Sequence, residues 1–337
     1  MLLFICVDLS AYYFSGGMKM KKYLVLCSVL MAAMILLPLT AMDKPQKSVA
    51  AESDNTVSDD GGVISVMKSE SGKVEKTDIK EYTVGALAAE MSMDSHDEAL
   101  KAQAVVCYTY ALYCREKADK DELNGADISD DSKTHQGYLN EDARRKKWGN
   151  KFDEYEKKAE KLVGEVLGKK MTYNGEPILA AYHDLCSGKT ESAKTVWGEE
   201  IPYLQSVTSD GDKLSPNLEK TTVMDKDKFG SAINVIDGIE LSDDAGDWLG
   251  KIDKTDSGFV RSVEIGDTKV GGNDIKKALS LRSRNFSITY SNGKFTVKTV
   301  GNGHMVGMSQ YGADYMARQG SDWQEILKHY YTGISIV

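Results

Sequence analysis

The sequence predicts an α+β fold: a domain of helices and mostly antiparallel strands, behind an N-terminal membrane helix and a polar linker. Three observations carry this expectation. Apolar residues recur at helical spacing between residues 80 and 167, short strand-like runs dominate after Gly168, and two helical patterns close the chain at 309–319 and 322–331. No internal repeat breaks the order, and 337 residues allow one large domain or two modest ones.

Taken in order, Lys19, Lys21 and Lys22 precede residues 23–42, a stretch without a charge and long enough to span a bilayer as a helix. The positive flank places residues 1–22 in the cytoplasm and the remainder outside. A cleaved signal peptide is the rival, but Leu39-Thr-Ala41 is a poor cleavage site, and an uncleaved anchor is favoured. Residues 1–18 read as an extension ahead of a start at Met18 or Met20. Residues 43–62 are polar with few large apolar side chains, as in a flexible tether. One domain, 63–337, is expected beyond it.

Within that domain, Ile64-Ser-Val-Met67 and Lys73-Val-Glu-Lys76 flank Ser71-Gly72 as a hairpin. Residues 80–91 read as a helix with Tyr82, Val84, Leu87, Ala88 and Met91 on its apolar surface. Ser95, with Glu98 three residues later, fits a capping box. The helix beyond is apolar on Leu100, Ala104, Cys107, Ala111 and Cys114, and again on Ala99, Ala102, Val106 and Tyr110. A helix apolar on most sides is a buried one, here the central one. Residues 119–142 read as polar turns and 152–167 as another helix. Strands are expected at 171–173, 178–182, 203–208, 260–265, 285–290 and 295–299, the last two joined at Ser291-Asn-Gly293. Short helices are expected at 229–236 and 272–279.

Net charge is −9, which argues against a general nucleic-acid binder but leaves a neutral polysaccharide open. Five cysteines give no disulfide framework. Cys107 and Cys114 lie about 10 Å apart along one helix, too far to bridge.

Chemistry concentrates in three places. The run Gly301-Asn-Gly-His-Met-Val-Gly-Met-Ser-Gln-Tyr-Gly-Ala313 sets four glycines among polar and apolar side chains, as in a cleft wall rather than a linker. A tight turn entering a helix is the plainer reading. Glu90 stands among small and apolar residues in Val84-Gly-Ala-Leu-Ala-Ala-Glu-Met91. A carboxyl in such a pocket has a raised pKa, as a general acid needs. The competing reading is an exposed glutamate at a helix end. The third block is Ala180-Ala-Tyr-His-Asp-Leu-Cys-Ser-Gly-Lys-Thr-Glu191, with Trp197 and Tyr203 close behind. Hydroxyls with aromatic platforms suit a sugar. His183 and Cys186 alone are too few for a zinc site; His135 is a candidate third ligand, but a buried cysteine and a hydrogen-bonded histidine is the favoured reading, and a Cys/His nucleophilic pair is a further option.

Five separated blocks, in order, resemble the SpoIID/LytB family, the group of stage II sporulation protein D. They are Glu81-Tyr-Thr-Val-Gly-Ala-Leu-Ala-Ala-Glu-Met91; Glu98-Ala-Leu-Lys-Ala-Gln-Ala-Val105; Cys186-Ser-Gly-Lys-Thr190 with Trp197-Gly198 and Pro202-Tyr-Leu204; Leu279-Ser-Leu-Arg-Ser283; and 301–313 with His329-Tyr-Tyr331. The resemblance spans about 63–337. It implies a membrane-anchored lytic transglycosylase that cleaves peptidoglycan glycan strands lacking stem peptides during forespore engulfment, with Glu90 as its catalytic acid. Two departures stand out. Tyr108 occupies the place of a family arginine, and residues 127–136 keep His135 but no cysteine, so no zinc is expected there.

The implied reaction needs a single carboxyl. Glu90 protonates the bridging oxygen, and its carboxylate then takes the proton of the sugar's own C6 hydroxyl, which attacks C1. No cofactor is required. Gln103, Tyr182, Ser187, Lys189, Thr190, His304, Ser309 and Gln310 are the expected cleft contacts. Expected partners are peptidoglycan strands, a cell-wall amidase, other engulfment membrane proteins, and the membrane through 23–42. The alternative is a non-catalytic glycan-binding module that enhances or recruits an amidase.

Overall fold

The computed structural model describes residues 62–337; the membrane helix expected at 23–42, and nearly all of the expected linker, lie outside the described residues. Among the described residues no helix is long and apolar enough to cross a membrane. The architecture is α+β, small sheets packed around helices.

β1 (Val63–Met67) and β2 (Val74–Asp78) form the expected hairpin. Asp78 ends it and caps α1 (Ile79–Glu90), its carboxylate accepting from the N–H groups of Lys80 and Glu81. α2 (Asp97–Lys117) is the buried central helix, with Leu100, Ala104, Val105, Val106 and Ala111 fully covered. Its N-cap is His96, not Ser95: the imidazole accepts from Glu98 N–H at 3.3 Å. The expected box fails because the Glu98 carboxylate is used elsewhere, on Lys101 at 2.9 Å and on the Trp323 N–H at 3.0 Å.

The segment read as polar turns contains β3 (Ile128–Ser129), which pairs parallel with β1, and α3 (Glu141–Trp148). α3 is rich in charge, and its apolar surface is too sparse to announce a helix. What fixes it is Arg144, buried between Glu81 at 2.8 Å and Glu156 at 2.6 Å. α4 (Phe152–Val166) then packs on α1 and α2.

β4 (Met171–Tyr173) pairs with β5 (Glu176–Pro177). The strand expected at 178–182 shrinks to β6 (Tyr182–His183), and the one at 203–208 is irregular chain held by Thr190 and Thr332 backbone bonds. α5 (Ala193–Trp197) lies between them, capped by Ser192 and closed by Gly198 at φ 83°.

Residues 219–300 fold around a second core. β7 (Glu219–Asp225), β12 (Lys294–Val300) and β11 (Phe286–Ser291) form one antiparallel sheet, and β8 (Leu249–Lys254), β9 (Val260–Ile265) and β10 (Thr268–Gly271) another. α6 (Lys226–Ile233) and α7 (Gly272–Ala278) match the short helices expected there. Phe229 stacks on Phe295 at 3.8 Å, with Trp248 beside both. The excursion closes on itself, since Glu219 pairs with Val300 and the Gly301 N–H bonds Leu218.

The chain then returns to the first core through β13 (Met308–Ser309), α8 (Gln310–Arg318) and α9 (Trp323–Tyr330), and β14 (Ser335–Ile336) pairs with β4. β13 pairs parallel with β6, setting Met308 opposite Tyr182 and Ser309 opposite His183. That pairing brings two segments far apart in sequence onto one wall.

Candidate active site

A cleft of about 880 Å³ opens where the end of α1, the 132–136 segment, β6, α5 and the glycine-rich run meet. Glu90 lies in it. As the last residue of α1, it projects its side chain beyond the helix, where the next segment folds across. That segment acts as a strap. Gln136 donates to the Tyr82 hydroxyl at 2.9 Å and to the Cys107 carbonyl at 3.0 Å, and the Leu139 N–H bonds Gly85 at 3.2 Å. Gly85 makes the approach possible: a Cβ there would stand 2.5 Å from the Leu139 carbonyl.

The strap delivers the Gly137 N–H to Glu90 Oε1 at 2.6 Å. The Tyr182 hydroxyl donates to the same carboxyl. Burial pushes the Glu90 pKa up. The Gly137 and Tyr182 hydrogen bonds and the Lys147 ammonium offset that rise without cancelling it. Lys147 itself donates to the Ala88 and Ala89 carbonyls at 2.7 and 3.3 Å, covering the C-terminal end of α1. The result is a half-buried acid, held by two donors, facing a cleft.

Of the contacts expected from sequence, Tyr182, His304 and Gln310 line this cleft with Glu90. Gln310 Nε2 donates to the Glu90 carbonyl and to Gln103 Oε1, both at 3.3 Å, so Gln103 sits behind the wall as a support. His304 Nδ1 accepts from the Val306 N–H at 3.1 Å. The other four lie outside. Ser187 donates to the Ser257 carbonyl at 2.9 Å. Thr190 is buried and accepts from the Val207 N–H at 2.9 Å. Ser309 caps α8 and donates to Asp212 at 2.7 Å. Lys189 borders a separate small hollow beside Glu191 and Arg261.

The glycine-rich run owes its composition to close approach. Gly301, Gly303 and Gly307 have φ of 76°, 108° and 71°. At Gly307 a Cβ would collide with the Ala181 carbonyl, and so would block the β6–β13 pairing.

Two groups beyond the expected contacts also line the cleft. Trp197, 42% exposed, leans on the His304 ring at 5.5 Å. His183 lines it too, its Nδ1 on the Val306 carbonyl at 3.2 Å, its pKa pushed down to about 3 by burial and then by His304. Cys186 is not hydrogen-bonded to His183: its thiol donates to Asp212 at 2.8 Å, burial raises its pKa, and the pair does not form a nucleophile and base.

Comparison with known proteins shows the family of the chain. The profile described as Stage II sporulation protein, SpoIID, matches residues 67–173, which contain α1, α2, the strap and Glu90. Stage II sporulation protein D of Bacillus amyloliquefaciens is 35% identical over 81% of this chain and 78% of its own length. The chain belongs to the stage II sporulation protein D family. A second member, from Bacillus subtilis strain 168, is 32% identical over 94% of this chain and 96% of its own. The amidase enhancer of the same Bacillus subtilis strain is 24% identical over 75% of this chain and 40% of its own length.

Proposed function

We propose that this family member is a lytic transglycosylase that cuts peptide-free peptidoglycan strands between N-acetylmuramic acid and N-acetylglucosamine. The observation that carries the reading is the Glu90 carboxyl: raised in pKa by burial, held by Gly137 and Tyr182, and open to a cleft large enough for a saccharide. Protonated, it gives its proton to the bridging oxygen as the C1–O bond breaks. The carboxylate left behind accepts the C6 hydroxyl proton of the same sugar while that oxygen bonds C1. The product is a 1,6-anhydro end, Glu90 is again protonated, and no water is consumed. Because the nucleophile belongs to the substrate, little entropy is spent positioning it.

Trp197 and His304 offer a ring face for the apolar C–H side of a pyranose, and Gln310 anchors the floor beneath Glu90. In the same proposal residues 23–42 hold the domain at the outer face of the membrane, beside an amidase that strips stem peptides and other engulfment membrane proteins.

The likeness to an amidase enhancer favours a second reading, in which the cleft grips glycan without cutting it and serves a partner amidase. Denuded strands incubated with the purified protein separate the two: the first reading expects anhydromuramyl ends in the mass spectrum, the second expects bound, uncut strands.

A further inference from the structure

The walls of the cleft are acidic. Glu90, Asp184 and Glu199 all line it, whereas Lys133 is its one lysine or arginine. Lys133 sits on the strap, whose backbone is fixed around it. The Lys133 N–H bonds Asp131 Oδ1 at 2.9 Å, and the N–H groups of Thr134 and His135 return to the Asp131 carbonyl at 3.1 and 2.9 Å. Four residues on, Gly137 bonds the Glu90 carboxyl. The lysine is therefore held on the lip of the cleft that Glu90 also lines, while its side chain is exposed and its ammonium makes neither ion pair nor hydrogen bond among the described residues.

With Glu90 protonated, an uncommitted cation beside Asp184 and Glu199 repels nothing that is neutral. It selects a ligand carrying an anion, because a carboxylate entering this cleft otherwise meets only the like charge of Asp184 and Glu199. Resting on the glycan reading above, we propose that Lys133 receives a carboxylate of the bound saccharide, so that the site takes an acidic amino sugar whose lactyl-type carboxyl group is free. An amide link to a peptide removes that charge and adds bulk at the same place. Selectivity for peptide-free strands is then electrostatic: cutting the amide creates the charge that Lys133 reads. As a contact at an exposed rim it is worth up to about fivefold in affinity and weakens as salt rises.

The test measures binding with the full chain carrying Glu90→Gln, so that nothing is turned over. Two ligands are compared at low salt: denuded strands with free lactyl carboxylates, and the same strands with those groups coupled to methylamine. Tighter binding of the free-carboxylate strands, by about fivefold, is expected. Lys133→Met should abolish the preference, Lys133→Arg restore it and Lys133→Glu invert it. A preference untouched by Lys133→Met, or an equal loss on both ligands, overturns the proposal while leaving the glycan reading intact. Failure of both strands to bind overturns both. Discrimination without anhydro products from the unsubstituted chain removes the lyase reading alone.

Discussion

At the scale of single residues, the account turns on how Glu90 is balanced between burial, which favours the neutral acid, and three groups that favour the carboxylate. The folded chain binds the proton more tightly than the unfolded chain does. The stability this gives is whole below the ordinary glutamate pKa and lost as pH rises through the folded one. Glu90→Gln should thus melt higher than the parent at pH 7, and the gap should close as pH falls below the ordinary carboxylate range; a calorimetric pH series reads this directly. Lys147 acts on the same balance from behind. Lys147→Met removes a cation that favours ionisation, so the high-pH limb of the activity profile should move to higher pH. An unmoved limb would show that the ammonium only caps α1. Glu90 was legible as a candidate because its neighbours in sequence are small and apolar. Lys147 was not, since it lies in a charged stretch whose helix reveals itself only once Arg144 is buried.

Elements carry the site through contacts that local sequence does not encode. The strap reads as polar turns, yet it supplies one of the two hydrogen bonds to Glu90 and the lip of the cleft. A Cβ at Gly137 would stand 2.9 Å from Glu90 Oε1 and 3.1 Å from the Ala89 methyl. Gly137→Ala should therefore displace the acid, lowering kcat by about tenfold or more for a misplacement of this kind, with the circular dichroism spectrum unchanged. Arg144 joins α1, α3 and α4 through Glu81, Glu156 and the Leu139 carbonyl. Arg144→Met leaves the well-covered Glu156 unpaired and should cost about 3 kcal/mol in urea unfolding. The capping box at Ser95 and the strand at 203–208 were misread for one reason: the side chains and backbone groups concerned are spent on distant partners, Trp323 for Glu98, Thr190 and Thr332 for the loop. Periodic elements such as α2, α8 and the 286–300 hairpin were readable because their pattern follows from burial of one segment.

Across the whole molecule, the first core, built from α1, α2, α4, α8 and α9, joins residues near both ends of the described chain, and the excursion 219–300 keeps its own apolar core. The cleft belongs to the first. Its two walls are more than a hundred residues apart in sequence and meet because β6 and β13 pair in parallel, which Gly307 permits. Sequence named residues from both walls, Tyr182 and His304, without the pairing that unites them. It also placed Ser187, Thr190 and Ser309 among cleft contacts, although their hydroxyls serve internal carbonyls, N–H groups and Asp212. A short polar side chain in a motif does not disclose which way it faces. Chemically, the decisive question is whether this enclosed acid breaks a glycosidic bond. Mass spectrometry of denuded strands after incubation with the parent chain and with Glu90→Gln answers it: 1,6-anhydromuramyl ends from the parent and none from the variant are predicted, and equal release from both, or release from neither while the strands stay bound, would contradict the account.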